Sequence, residues 1–185
     1  MGQPTLPVPV KLFIAVTFGD EEIFEAGIKL LEQEFGSFDI RSAIFDFNHT
    51  RYYFEEMGEG LKKQLFAFKK SIYPDTLPEV KLKTNHIEDQ FKNNGKRRIN
   101  IDPGYLTCAK VVLATTKNFD HRIYLGKGIY GDVHLRYRHN KFIFNPWTYP
   151  DYRDKLVIDF LAKLRKKYCK ELEKISKSRK NINND

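Results

Sequence analysis

The chain predicts an α+β fold: a ferredoxin-like βαββαβ core, extended by a C-terminal antiparallel hairpin or meander and a C-terminal helix. Three observations predict it. Between residues 10 and 101 the hydrophobic periodicity switches in the order strand, helix, strand, strand, helix, strand. Residues Ile129 to Arg138 then alternate at period two, as a strand with one apolar and one polar face does. Finally, a Pro-bounded extended stretch leads into a helical segment from about 154 to 175.

Each element has a local reason. Val10 to Phe18 is a nearly unbroken apolar run, the pattern of a central strand covered on both faces. Asp20-Glu21-Glu22 opens a helix with acids at its positive end. Its stripe is Ile23, Ala26, Gly27, Leu30, Leu31 and Phe35, and Gly36 stops it. Phe38 to Phe47 and Leu61 to Ile72 read as the next two strands. Thr76-Leu77-Pro78-Glu79 has the form of a capping box, followed by the stripe Leu77, Val80, Thr84, Ile87 and Phe91. Asn93-Asn94-Gly95 ends that helix, and Arg97 to Ile101 is the fourth strand. Asp102-Pro103-Gly104-Tyr105 carries the residues of a type II turn. Thr107 to Asn118 reads either as a helix capped by Thr107 or as a strand through Val111-Val112-Leu113. Two strands joined at Gly126-Lys127-Gly128 follow, then a His139-Asn140 turn and a strand at Lys141 to Phe144. The chain reads as one domain, 1–185, with its core at about 8–175 and a frayed basic tail at about 176–185.

Composition narrows the function classes. The chain has 185 residues and a formal charge of +8. Residues 1–50 carry three basic against eight acidic groups, whereas 110–141 carry seven against two. Basic character concentrated in one region favours contact with an anion or nucleic acid. The run of Lys and Arg after residue 153 reads first as a solvated helix face. No apolar run has membrane-spanning length, and residues 1–10 have no signal-peptide character. The two cysteines, Cys108 and Cys169, have no metal spacing and read as free thiols in a reducing cytoplasm. P-loop, G-x-G-x-x-G, H-E-x-x-H, C-x-x-C and G-x-S-x-G patterns are missing. The sequence names no cofactor and no metal set.

The sharpest object is the hairpin. A three-residue loop at 126–128 sets Tyr124 opposite Tyr130 and Arg122 opposite Asp132. Arg122, Tyr124, Tyr130, Asp132, His134, Arg136 and Arg138 would then share the wet face, and His121 would point inward beside Val133. With Lys117, the basic and aromatic members of this set are candidates for binding phosphates or stacking on bases. Nucleic acid or a nucleotide is the expected partner. A second reading is a small enzyme on a phosphorylated substrate, in which Asp102, Lys110 and His121 converge as catalytic groups. A third is a protein–protein interaction module. Trp147, in Asn145-Pro-Trp-Thr-Tyr-Pro-Asp-Tyr152, is either a buried clasp or a stacking platform, and the clasp is the commoner use.

Five segments also carry a resemblance: Pro9-Val-Lys-Leu-Phe13, Asp102-Pro-Gly-Tyr-Leu-Thr107, Ala114-Thr-Thr-Lys117, His121-Arg-Ile-Tyr-Leu125 and Pro146-Trp-Thr-Tyr-Pro-Asp-Tyr152. In this order they resemble the bacterial family catalogued as domain of unknown function 4416, over about residues 8–170. The resemblance implies a bacterial, single-domain, cytoplasmic protein. It implies no established activity and no catalytic residues.

Overall fold

Val10–Phe18 forms β1, and all nine of its residues are buried. The computed structural model describes residues 2–50 and 53–182, with side chains described to residue 177. Glu21–Phe35 is α1, capped by the Asp20 carboxylate, which accepts from the Glu22 and Ile23 N–H groups. Phe38–Arg41 is β2, Phe45–Asp46 is β3, Phe54–Met57 is the short α2, and Lys62–Ile72 is β4. Leu77–Gln90 is α3 and Ile99–Leu106 is β5. Lys110–Thr115 is β6, Ile123–Gly126 is β7, Ile129–Arg138 is β8, Lys141–Phe144 is β9, and Lys155–Ile182 is α4. The fold is therefore α+β. Among the described residues nine strands form one antiparallel sheet in the order β2-β4-β1-β5-β6-β8-β7, with β3 beside β4 and β9 beside β8.

Both faces of β1 are covered. Leu12, Ile14, Val16 and Phe18 pack with Ile28 and Leu31 of α1 and with Val80 and Ile87 of α3. Phe13 and Ala15 face the other way, toward Val157, Phe160, Leu161 and Leu164 of α4. This explains the unbroken apolar run: a strand with helices on both faces has no wet side to mark with polar residues.

Several expectations are corrected. Asp102 to Tyr105 is not a turn but part of β5, in register with Ala15 to Leu12 of β1. Gly104 is there for closeness, not for a positive φ: a Cβ would lie 2.5 Å from the Val112 carbonyl oxygen and 2.9 Å from the Phe13 ring. The 107–118 stretch resolves as strand β6, with Thr107 bonding the turn before it. The capping box does not form. Thr76 Oγ1 donates to the Tyr73 carbonyl and Glu79 pairs with Lys127. α4 continues to Ile182, seven residues beyond its expected end. Residues 183–185 of the expected tail lie outside the described residues. Cys108 and Cys169 are not free thiols but a disulfide, because α4 packs across the β5–β6 turn.

The largest correction concerns the hairpin face. The loop has two residues, Lys127 and Gly128, both at positive φ, and Gly126 pairs with Ile129. Tyr124 does pair with Tyr130, and Arg122 does meet Asp132, with Nε to Oδ2 at 3.6 Å. The wet face nevertheless breaks in two. Val112 pairs with Val133 but Val111 pairs with Leu135, so His134 is the extra residue of a β-bulge. A bulge reverses the parity of everything beyond it. Asp132 shares a face with Leu135, while Arg136 and Arg138 sit on the opposite face.

The bulge also frees backbone carbonyls, and the Pro-bounded segment takes them. Asn145 Nδ2 and Trp147 Nε1 donate to Val133 O, and Thr148 Oγ1 donates to His134 O. The segment is thus a clasp over the bulge. Trp147 keeps only intermediate exposure, as a clasp should, with His121 stacked on it at 5.0 Å.

Candidate functional site

The sheet splits between β5 and β6. These strands pair only from Gly104↔Leu113 to Leu106↔Val111, at the turn end, and part beyond it. A strand that loses its neighbour must satisfy its backbone elsewhere. The Ile101 N–H donates to Glu88 Oε1 at 2.6 Å, and Ile101 O accepts from Lys81 Nζ at 2.9 Å. Both partners come from α3. By the alternation of the ladder, Pro103 also presents its edge toward this gap, where its missing N–H is tolerated.

The gap is a cavity of about 340 Å³. One wall is a polar row of α3, Lys81, Asn85 and Glu88, at the i, i+4 and i+7 spacing that puts side chains on one face, continued past the helix end by Lys92. Asn100 and Asp102 of β5 form the second wall, and Leu113 to Thr115 of β6 with Thr116 and Lys117 just after it form the third. An adjoining cavity of about 440 Å³ is more aromatic, with Phe47, His49, Lys63, Phe119, Arg122 and Asp151 in its lining. Tyr53, Asp102, Lys117 and Tyr149 line both, so the two are lobes of one cleft with these four residues at the waist.

The ionisable groups are held by one another. Lys81 lies 3.3 Å from Asp102 Oδ1, and Asn100 Nδ2 donates to Asp102 Oδ2 at 2.6 Å. Desolvation raises the Asp102 pKa, but the Lys81 and Lys63 charges outweigh it and hold the carboxyl below its usual range. Glu88 goes the other way. Burial pushes its carboxyl up to about 7, against the pull of Lys81, and Asp102 adds to the rise. Lys63 and Asp151 form a buried pair at 2.6 Å. Burial raises the Tyr149 and Tyr152 phenols. Three buried polar atoms on this side of the sheet, Thr17 Oγ1, Arg122 Nε and Tyr152 Oη, make no hydrogen bond among the described residues.

The predicted site residues divide among several places. Asp102 and Lys117 face the cleft. The Arg122 side chain is only 4 % exposed and works as a strut: it donates to Lys117 O at 2.9 Å and to the Tyr149 hydroxyl at 3.0 Å. His134 is not on a wet face but fully buried. Its Nε2 accepts from the Tyr149 N–H at 3.0 Å, so Nδ1 carries the proton and donates to Asp132 Oδ1 at 2.9 Å. His121 is not inward on a strand. It precedes β7, is 18 % exposed, and stacks on Trp147 outside the cleft lining. Lys110 lies at the far end of β6, opposite Arg136. Asp102, Lys110 and His121 therefore do not converge. Tyr124 is exposed and packs against Tyr130 with tilted rings 5.3 Å apart, its hydroxyl accepting from the Gly128 N–H. Arg136 and Arg138 are exposed on the other face of the sheet.

Sequence reasoning passed over Lys63, Lys81, Glu88, His49 and Asp151. The available signal was the α3 polar row beside the apolar stripe. Its Lys81 and Glu88 are each only 6 % exposed. No group of three or more His, Cys, Asp or Glu side chains is placed to hold a metal ion among the described residues. Nor does any described helix have the length and apolarity to cross a membrane.

No curated protein matches this chain, and no solved structure does. The family described as domain of unknown function (DUF4416) matches residues 8–168, which include both lobes of the cleft, the β8 bulge and its clasp, and the chain belongs to that family.

Proposed function

We propose that this protein binds a small phosphate-bearing molecule, a nucleotide or a simpler phosphorylated compound, in the cleft between β5 and β6. The observation that carries the reading is the split itself. The sheet gives up strand pairing there and replaces it with buried, charged side chains of α3. Buried charge is costly and is kept where it positions something. Lys117 stands at the waist, Lys81, Thr115 and Thr116 line the polar lobe and Lys63 lines the aromatic one, so ammonium and hydroxyl donors line both sides of the cleft, with Asp102 and Asp151 as partners of the two buried ammonium groups. The aromatic lobe takes the rest of the ligand. The antiparallel order β2-β4-β1-β5, with α1 and α3 on one face, supports reading the core as ferredoxin-like. The bacterial, cytoplasmic setting belongs to the same reading.

Calorimetric titration with pyrophosphate and with ribose 5-phosphate tests the binding. Lys117→Ala is expected to weaken binding by about tenfold, as for one lost charge-assisted hydrogen bond. Arg136→Ala with Arg138→Ala is expected to leave it unchanged. The opposite pattern refutes the cleft as the site.

A second reading has its own observation. Lys110, Arg136, Arg138 and Lys141 share one exposed face, since Lys110 pairs with Arg136 and Arg138 with Lys141. Half-exposed Tyr105 lies on the same face through its pairing with Val112. Such a face suits a nucleic-acid backbone, and the salt dependence of oligonucleotide binding tests it.

A further inference from the structure

His49 and Asp154 lie 105 residues apart in sequence, yet His49 Nε2 is 2.7 Å from Asp154 Oδ2. A carboxylate accepts, so Nε2 carries the proton and the neutral ring keeps its lone pair on Nδ1. His49 is 30 % exposed and lines the aromatic lobe. Asp154 is held in place by its position at the start of α4, where its carbonyl accepts from the Ile158 N–H. A histidine whose tautomer is set by a carboxylate, beside a cavity, is the arrangement of a general base. The charged groups that share this lobe are Lys63, Asp102, Lys117, Arg122 and Asp151. Across the waist stands Glu88, in the polar lobe. One group able to take a proton and another able to give one therefore flank the waist, with Lys117 between the lobes.

We infer that the cleft hydrolyses a phosphate monoester, with His49 as the base, Asp154 as its positioning residue and Glu88 as the acid. The inference rests on the phosphate-binding reading of the cleft. A water molecule gives its proton to His49 Nδ1 as its oxygen bonds to phosphorus. The ester P–O bond breaks, and the departing alkoxide takes the proton of Glu88. The products are an alcohol and inorganic phosphate, and the proton on His49 returns to Glu88 through solvent. Burial pushes the Glu88 carboxyl up to about 7, so it keeps a protonated fraction at neutral pH.

The test is phosphate release from p-nitrophenyl phosphate, ribose 5-phosphate and a nucleoside monophosphate, alongside calorimetric binding of the same compounds. His49→Gln is expected to lower kcat by about 100-fold or more with little change in KM, as for loss of a general base. Asp154→Asn is expected to lower kcat less and to leave KM unchanged, because the imidazole loses the carboxylate that fixes its tautomer. Thermal melts establish that both variants fold. If the wild type binds these esters and releases no phosphate from any of them, the inference falls and the binding reading stands. If it binds none of them, the binding reading falls and takes the inference with it. A folded His49→Gln variant with wild-type turnover also overturns the assignment.

Discussion

The two ends of the β5–β6 pair are built in opposite ways. At the turn end the strands stay together. Thr107 Oγ1 accepts from the Ala109 and Lys110 N–H groups, and the Cys108–Cys169 disulfide ties the turn to α4. Arg165 donates to Cys108 O at 2.6 Å and lies 3.4 Å over the Tyr137 ring. The nearby cations Lys110, Arg136, Arg138 and Lys141 all point into solvent. At the other end the strands part, and the cations Lys63 and Lys81 are buried and each paired with a carboxylate. The same residue types thus serve two purposes. Exposed cations add diffuse attraction that salt screens, whereas buried paired cations fix a geometry.

The sharpest way to break the contrast is to leave one buried charge alone. Asp151→Ala strands Lys63, and urea unfolding should show a loss of about 3–5 kcal/mol. At the covalent end, Cys108→Ser with Cys169→Ser opens a link between residues 61 apart. The chain-entropy account gives a loss of roughly 4 kcal/mol there, again read by urea unfolding.

Glu88 gives a prediction in pH. Its carboxyl rises from 4.5 to about 7 on folding, so the folded state holds the proton more tightly. Its contribution is fully present below about pH 4.5 and is lost as pH rises through about 7. Relative to Glu88→Gln, the wild type should therefore lose roughly 3 kcal/mol between those limits. A flat difference between the two proteins would show that Glu88 is not desolvated.

The smallest effect belongs to the exposed face. Arg136→Ala with Arg138→Ala should change stability by no more than about 0.5 kcal/mol. If that face carries nucleic acid, the salt slope of binding should fall by about one unit per lost contact.

Much of the architecture was legible because its signals are local. The β1 run, the α1 stripe with its Asp20 cap and the alternation of β8 each follow from a few neighbouring residues. The site was less so. Asp102 and Lys117 stand out as a carboxylate and a cation near strand ends, and both reach the cleft. Lys81 and Glu88 fall outside the apolar stripe of α3, and nothing in the neighbouring residues sets them apart. Only the parting of β5 and β6, a tertiary event, turns them into a wall. The β8 bulge is equally silent: nothing in Val133-His134-Leu135 marks one residue as extra, so the alternation carried Arg136 and Arg138 onto the wrong face. Disulfide pairing across 61 residues likewise needs the packing of α4 to be known.

The central claim is that a phosphate-bearing ligand sits where the sheet divides. Amide chemical shifts recorded during titration with pyrophosphate address it directly. The account predicts changes at Asn100 to Asp102, Leu113 to Lys117 and the α3 row, with Lys110 and residues 136–141 unmoved. Changes confined to Lys110, Arg136, Arg138 and Lys141, with the Ile101 amide unaffected, would contradict it.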